Sequence, residues 1–427
     1  MKRIKPSEGN KTFCMAPWTH TYLSPQTERR MCCASREPAQ SFKQYIDTGN
    51  DAKEYKPLTL KEHWNSDHMK SVRLRMMAGE ELSECQVCDH KLLNTNVYRS
   101  YFNQLFKHKV DEAFATTDDT GATTMQTISF DYRFNNLCNF KCRMCGDMLS
   151  SSWEAESRKH KTWKKENSPW MASPLREQII KFQDTQVVQE FVEAVETKKI
   201  KEIYWCGGEP LMWDMHWKAM QRIIELGFAK EVYVRYNTNL SRTSFKGTKL
   251  FDLLPQFQDW QICSSLDGTG EVGEYIRDGL NYEQWLRNFK EGMAVAKTAR
   301  EMRLDYTLTM PGLLELKNMF DLSRELDTEI LTKVMFTFSN DEILSPLALP
   351  KELLHTLIDE ALAYMEPLAT RKQRSLIDVI KNLKNRETFI PTKKGKQRQE
   401  NIDKIRRQDI TKILSRDERV LDWWTSI

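Results

Sequence analysis

The chain has 427 residues, 40% of them hydrophobic and 29% charged, with a net charge of only +4. That length admits two or three domains and a sizeable core, and so small a charge supports no general claim about anionic partners. No apolar run reaches the ~18 residues a membrane span needs, residues 1–11 lack the apolar segment of a secretory signal, and ten cysteines in so large a chain read as reduced, metal-binding thiols of the cytoplasm.

Residues 1–95 are turn-rich and hold Cys14, Cys32, Cys33, Cys85 and Cys88. Cys85-Gln86-Val87-Cys88 is a ligand-type Cys-x-x-Cys, and Cys14 and Cys32 complete a four-thiolate set suited to an iron–sulfur cluster. One of the adjacent pair Cys32 and Cys33 is then spare. A zinc knot is the alternative, with four thiolates or with three and an imidazole from His20, His63 or His90. A thioredoxin-like redox pair fits less well, because no βαβ pattern surrounds it. A helix is expected over about 96–113. Residues 116–124 (TTDDTGATT) have the composition of a linker and mark a domain boundary.

From Gln126 strands and helices alternate. Strands are expected over 127–134, 202–205, 231–236, 260–264, 303–309 and 333–338. Between them apolar residues recur at helical spacing, as in Val187, Val188, Phe191, Val192 and Val195 with Asp184 as N-cap, and again over 283–300. Such a series implies an α/β fold with a parallel sheet and right-handed crossovers. Functional groups then gather at the C-terminal ends of the strands.

Cys138, Cys142 and Cys145 follow the first of these strands at Cys-x-x-x-Cys-x-x-Cys spacing. Three thiolates so placed can each bind one iron of a cubane and leave the fourth iron free, whereas ordinary ferredoxin clusters take four thiolates. A structural zinc loop is the alternative, but it wants four protein ligands and no local residue supplies the last. The second strand runs into Cys206-Gly207-Gly208-Glu209-Pro210. Paired glycines let a ligand approach the backbone, and Glu209 is suited to a ligand ammonium; a plain tight turn is the competing reading. The fourth strand ends in Ser264-Ser265-Leu266-Asp267-Gly268, with Arg277 ten residues beyond Asp267. These groups suit a carboxylate and sugar hydroxyls, or else form an Asp-Gly turn and a surface ion pair. Cys206 and Cys263, on strands, are expected to be small core residues.

From Pro350, placed at a first helical position, the sequence reads as helical, with an apolar stripe through Leu353, Leu354, Leu357, Ile358 and Ala361. Between 371 and 416 Lys and Arg outnumber Asp and Glu by about three to one. That region and residues 158–165 (RKHKTWKK) read as solvated helix faces, with docking of an acidic partner as the alternative. Trp423 and Trp424 are expected to pack against the core.

Taken together, Cys138-Asn139-Phe140-Lys141-Cys142-Arg143-Met144-Cys145, then Gly207-Gly208-Glu209-Pro210, then Ser265-Leu266-Asp267-Gly268 with Arg277, resemble the radical S-adenosylmethionine (SAM) superfamily. The resemblance covers about 126–340 and implies a partial (β/α)6 barrel. It implies that Cys138, Cys142 and Cys145 hold a [4Fe–4S] cluster whose fourth iron is chelated by SAM. By the same token Gly207, Gly208 and Glu209 hold the SAM ammonium, and Ser265 and Arg277 its carboxylate or ribose. Met144 stands where the family places a large apolar residue against adenine. Asn237 and Asn239 are weaker ribose candidates, a polar strand-end turn being the alternative. Cys14-Met15-Ala16-Pro17-Trp18, Met31-Cys32-Cys33, residues 60–66 (LKEHWNS), Arg73 and Cys85-Gln86-Val87-Cys88 resemble the auxiliary-cluster modules called SPASM and twitch, in the single-cluster twitch form. That match favours Cys32 as ligand. The module normally follows the barrel; here it precedes it.

The expected organisation is a twitch/SPASM-like iron–sulfur domain over 1–115, a radical SAM barrel over 125–345 and a basic helical region over 346–427. The implied chemistry is reductive cleavage of SAM to a 5′-deoxyadenosyl radical, which takes hydrogen from a substrate, with a flavodoxin- or ferredoxin-type electron donor. The favoured substrate is a peptide or protein side chain. No residue is singled out as general base or hydrogen donor. The alternatives are radical oxidation of a small molecule, and a non-catalytic metal-binding protein that holds nucleic acid through its basic tail.

Overall fold

Eight strands form one sheet in this computed structural model, which describes residues 3–36, 49, 51, 54–89, 98–162, 169–173, 175–335 and 339–427. They are β1 (His20–Leu23), β2 (Arg29–Arg30), β3 (Ser129–Tyr132), β4 (Glu202–Trp205), β5 (Tyr233–Thr238), β6 (Asp259–Ser265), β7 (Met302–Leu308) and β8 (Glu329–Val334). Their spatial order is β8-β7-β6-β5-β4-β3-β1-β2. Neighbours from β8 to β1 are parallel; β1 and β2 pair antiparallel. From β3 to β8 each new strand adds on the same side of the last. Right-handed crossovers taken always in one direction put every connecting helix on the same face.

Burial follows that rule. Along β5, Val234, Tyr236 and Thr238 are buried while Tyr233, Arg235 and Asn237 are half-exposed. The buried set joins an apolar core with Phe191, Trp217, Met220, Trp285, Phe289 and Phe320 from the helices. The other face carries Tyr204, Cys206, Asn237, Asp305 and Lys333. It is polar, and it opens toward the edge strand β8, where the Lys333 side chain is 48% exposed while its partner Asp305 is buried.

Residues 3–36 show less regular patterning, yet strands within them extend the sheet. His20, Thr21, Tyr22 and Leu23 stand opposite Ser129, Phe130, Asp131 and Tyr132 in parallel register. The stretch 116–124, linker-like in composition, is a packed turn. Thr117 bridges Thr123, Arg3 donates to the Thr117 and Asp118 carbonyls, and a Cβ on Gly121 would stand 2.2 Å from the Lys70 carbonyl.

Several elements differ from the sequence pattern. Asp184 is no N-cap: the helix runs unbroken from Leu175 through a π turn at Gln183–Val187 to Glu196. The helix expected over 283–300 is Tyr282–Val295, capped by Asn281 onto the Gln284 amide. The last strand is Glu329–Val334 and not 333–338: it begins at Glu329, which pairs with Arg303 both in register and as an ion pair at 2.9 Å; residues 336–338 lie outside the described chain. Of the helix expected over 96–113, residues 96 and 97 also lie outside it; the rest forms Tyr98–Leu105 and Val110–Thr116. Pro350 is the N-cap of Lys351–Met365. Trp424 is 2% exposed and packs into the main core. Among the described residues no helix is long and apolar enough to cross a membrane.

Candidate active site

The loop bearing Cys138, Cys142 and Cys145 leaves the C-terminal side of β3 and is pinned at the first two of these cysteines. Hydroxyls of Ser151 and Ser152 donate to the Cys138 carbonyl at 3.2 and 2.8 Å. The Trp153 indole donates to the Cys142 carbonyl at 2.8 Å. A two-residue antiparallel ladder sets Cys142 opposite Arg277. The three thiols sense one another. Burial pushes Cys138 up to about 12, with Cys142 and Glu209 adding to the rise. The hydrogen bond between Cys142 and Cys145 raises the first and lowers the second, so Cys145 gives up its proton more readily. Among the described residues no three His, Cys, Asp or Glu side chains converge as a single-ion site requires. Thiolates that bind different irons of one cubane stand apart and do not need to.

The turn after β4 docks on this loop. Gly207 has φ +129° and Gly208 is crowded: a Cβ there would lie 2.3 Å from the Leu137 carbonyl. The Glu209 amide donates to that same carbonyl at 2.7 Å. Glu209 is 1% exposed. Its carboxylate accepts from Thr238 Oγ1 and the Asn239 amide, both at 2.6 Å, and from the Leu211 amide at 3.0 Å. It makes no salt bridge among the described residues, and burial raises it to about 7 against the pull of those hydrogen bonds. Asn239 reaches back from the end of β5 to Asn139, 3.0 Å away, and its amide lies 4.0 Å from Cys138 Sγ.

Ser265 ends β6 at the rim of the open face. Met144 is half-buried and packs on the main core. Arg277 already has a partner. Its Nε lies 2.7 Å from Asp267 Oδ2 but off the line of a hydrogen bond, so charge holds the pair. Its Nη1 points at Cys142 Sγ, 3.8 Å away. Asn237 bridges Tyr204 and Asp305, each at 2.7 Å, and Lys333 completes that row onto Asp305 at 2.7 Å.

The geometry falls in the stretch where comparison is decisive: residues 132–317 match the family model described as the Radical SAM superfamily. This stretch is a radical SAM domain. The chain matches no curated protein. The family works through a [4Fe–4S] cluster and SAM, and the chain's groups fit both. Three cysteines share one loop, with Cys142 hydrogen-bonded to Cys145, and the buried Glu209 carboxyl, in no salt bridge among the described residues, stands beside two glycines. The radical SAM domain belongs to an enzyme.

A second cysteine cluster lies in the N-terminal segment. Cys14, Cys32, Cys85 and Cys88 line one cavity with Met31, Met76, Tyr98 and Arg99. Cys33 does not line it. Its thiol faces Tyr98, Asp131, Arg133 and Cys206 at the open face of the sheet. His20 lies elsewhere, its ring nitrogen 2.6 Å from Ser129 Oγ, and His63 is not part of the lining; His90 lies outside the described residues.

Some expectations need correction. Cys206 is only partly buried and stands on the polar face among Arg133, Asp131, Tyr204 and Lys333; Cys263 is buried as expected, although strand parity sets it beside Asp305, Arg303 and Arg235. The basic tail is not wholly solvated: the Arg406 side chain is 1% exposed. Residues 163–165 of the other basic run lie outside the described chain. Arg143 and Arg406, which hold the cysteine loop, carry no local sequence signal, because their partners are more than a hundred residues away.

Proposed function

We propose that this radical SAM enzyme modifies a peptide or protein side chain and carries an auxiliary [4Fe–4S] cluster in its N-terminal segment. In this reading 1–115 is a twitch/SPASM-like module, 125–345 a partial (β/α)6 barrel and 346–427 a helical extension. The observation that carries it is the single cavity shared by Cys14, Cys32, Cys85 and Cys88, with the adjacent Cys33 turned away. Four thiolates saturate a cubane, so this site suits electron transfer or support and not a second SAM.

When bound, the cluster and SAM supply hydrogen-abstracting radical chemistry. Cys138, Cys142 and Cys145 hold the cluster. Gly207, Gly208 and Glu209 receive the SAM ammonium, with Asn239, Ser265, Arg277 and Met144 bordering the nucleotide. The open polar face supports an amide-bearing substrate. Its charges are paired internally, as in Lys333 with Asp305 and Arg133 with Asp131, so a neutral polar backbone meets no unbalanced charge there. A flavodoxin- or ferredoxin-type donor in the cytoplasm supplies the electron.

The test is anaerobic purification and reconstitution. The chain should bind about eight irons, release 5′-deoxyadenosine from SAM on reduction, and change the mass of a peptide encoded beside its gene. Four irons per chain with full SAM cleavage would remove the auxiliary cluster from the reading. No mass change in any such peptide would remove the substrate class.

A further inference from the structure

Arg143 stands between two of the cluster cysteines in sequence, and its side chain is fully buried. Its backbone amide donates to the Ile276 carbonyl at 2.8 Å, and its Nε donates to the Tyr275 carbonyl at 3.0 Å, with the guanidinium 3.7 Å from the Tyr275 ring centre. The other two nitrogens leave the domain. Nη1 donates to Gln399 at 3.3 Å, and Nη2 to Asp403 and to Gln408 at 2.6 Å. All three acceptors come from the Lys393–Arg406 helix and the turn after it.

That helix returns a second grip on the other side of Cys142. Arg406 Nη1 donates to the Lys141 carbonyl at 2.8 Å. Its remaining nitrogens bind Glu156, at 2.8 Å for Nη2, and the guanidinium covers the Trp153 ring at 4.4 Å. Trp153 is the side chain that holds the Cys142 carbonyl. Asp403 is also held in place, by Tyr275 at 3.1 Å and by the Ile410 amide at 2.8 Å. Buried arginines that bond in two or more directions fix geometry, and removing one partner of such a set leaves a charge stranded.

We propose that the Lys393–Arg406 helix is a positioning clasp for the cluster loop, acting through Asp403 on Arg143 and through Arg406 on Lys141, so that cluster binding and helix docking are coupled. This rests on the radical SAM reading of the loop and goes beyond it, because the helix that carries Asp403 and Arg406 lies outside the matched 132–317 stretch. Coupling of two binding events is reciprocal. If the docked helix favours the cluster, the cluster must favour the docked helix.

The measurement is hydrogen exchange over residues 399–410 in the full-length chain, cluster-free against anaerobically reconstituted. Protection should rise by about tenfold on loading, within the usual range of coupling between sites. As a second readout, Asp403→Asn leaves the Arg143 charge uncompensated beside the cluster. It should move the midpoint potential upward and lower the iron retained at the loop, while Asp403→Glu, which keeps the charge, should restore both. A role confined to folding would not move the potential. Exchange over 399–410 that ignores loading overturns the clasp, whatever the variants do. A wild-type chain that takes no iron on Cys138, Cys142 and Cys145 instead overturns the reading beneath it, and the iron assay alone identifies that failure.

Discussion

The Glu209 amide and the Leu137 carbonyl are joined by a 2.7 Å hydrogen bond, so the glycine turn and the cysteine loop are one rigid unit. Gly208 lies inside that contact, where a Cβ would approach the Leu137 carbonyl to 2.3 Å. Neither partner is the flexible end of a side chain, so backbone must shift. Gly208→Ala should cost about 1–3 kcal/mol in stability and weaken SAM binding more than it lowers the iron content. Denaturant unfolding, iron analysis and equilibrium binding of SAM check this; unchanged SAM affinity would separate the turn from the nucleotide.

Glu209 gives the site a pH signature. Its carboxyl rises from 4.5 to about 7 in the folded chain, first because it is buried. Below the unfolded value both states hold the proton and the group costs nothing. Between 4.5 and about 7 only the folded state keeps it, and above that the folded state carries a buried charge, so stability falls as pH rises through this window. SAM brings a cation and favours the carboxylate. Its affinity should therefore drop roughly tenfold per pH unit below 7 and level off above, with a proton released on binding. Calorimetry in buffers of different ionisation enthalpy reads that proton directly, and a flat profile in Glu209→Gln assigns it.

How far the sequence announced this site depended on distance along the chain. The strand Glu202–Trp205 and the turn after it were legible, because alternation and paired glycines are local signals. The strand His20–Leu23 was not: four residues pairing with partners 109 positions away leave no periodic trace. Cys206 was read as core because cysteine usually is, but it follows Trp205, whose side chain is in the core, and alternation sets it on the other face. Arg143 was quoted only as part of a spacing. Its meaning lies in Asp403, which no window around the cysteines contains.

Arg73 ties the N-terminal segment together with no acidic partner among the described residues. It is fully buried and donates to the Pro17 and Trp64 carbonyls at 2.9 and 2.7 Å and to Asn65 at 2.9 Å. Burial alone lowers it to about 9. Arg73→Ala orphans these acceptors together and should cost roughly 3 kcal/mol. Ala16, next to Pro17, and Met76, on the same helix as Arg73, line the four-cysteine cavity, so iron should be lost there before it is lost at Cys138, Cys142 and Cys145. Unfolding midpoints and iron counts together test that order; simultaneous loss from both sites would argue against it.

The pair Cys32 and Cys33 offers the sharpest test of the auxiliary site, since only the first of these neighbours lines the cavity. Cys32 lines the cavity with Cys14, Cys85 and Cys88, and burial drives its thiol well above the ordinary range. Cys33 looks toward Arg133 and Cys206, with burial raising it to about 11. Cys32→Ser should therefore remove about half of the iron, if each site holds one cubane, and leave reductive SAM cleavage in place. Cys33→Ser should keep all of the iron. Should Cys33→Ser prove the variant that loses iron, the cavity is not a ligand set and the pairing of the two cysteines is reversed. Should neither lose any, the N-terminal thiols bind no cluster, and the cleavage activity rests on the Cys138, Cys142 and Cys145 loop alone.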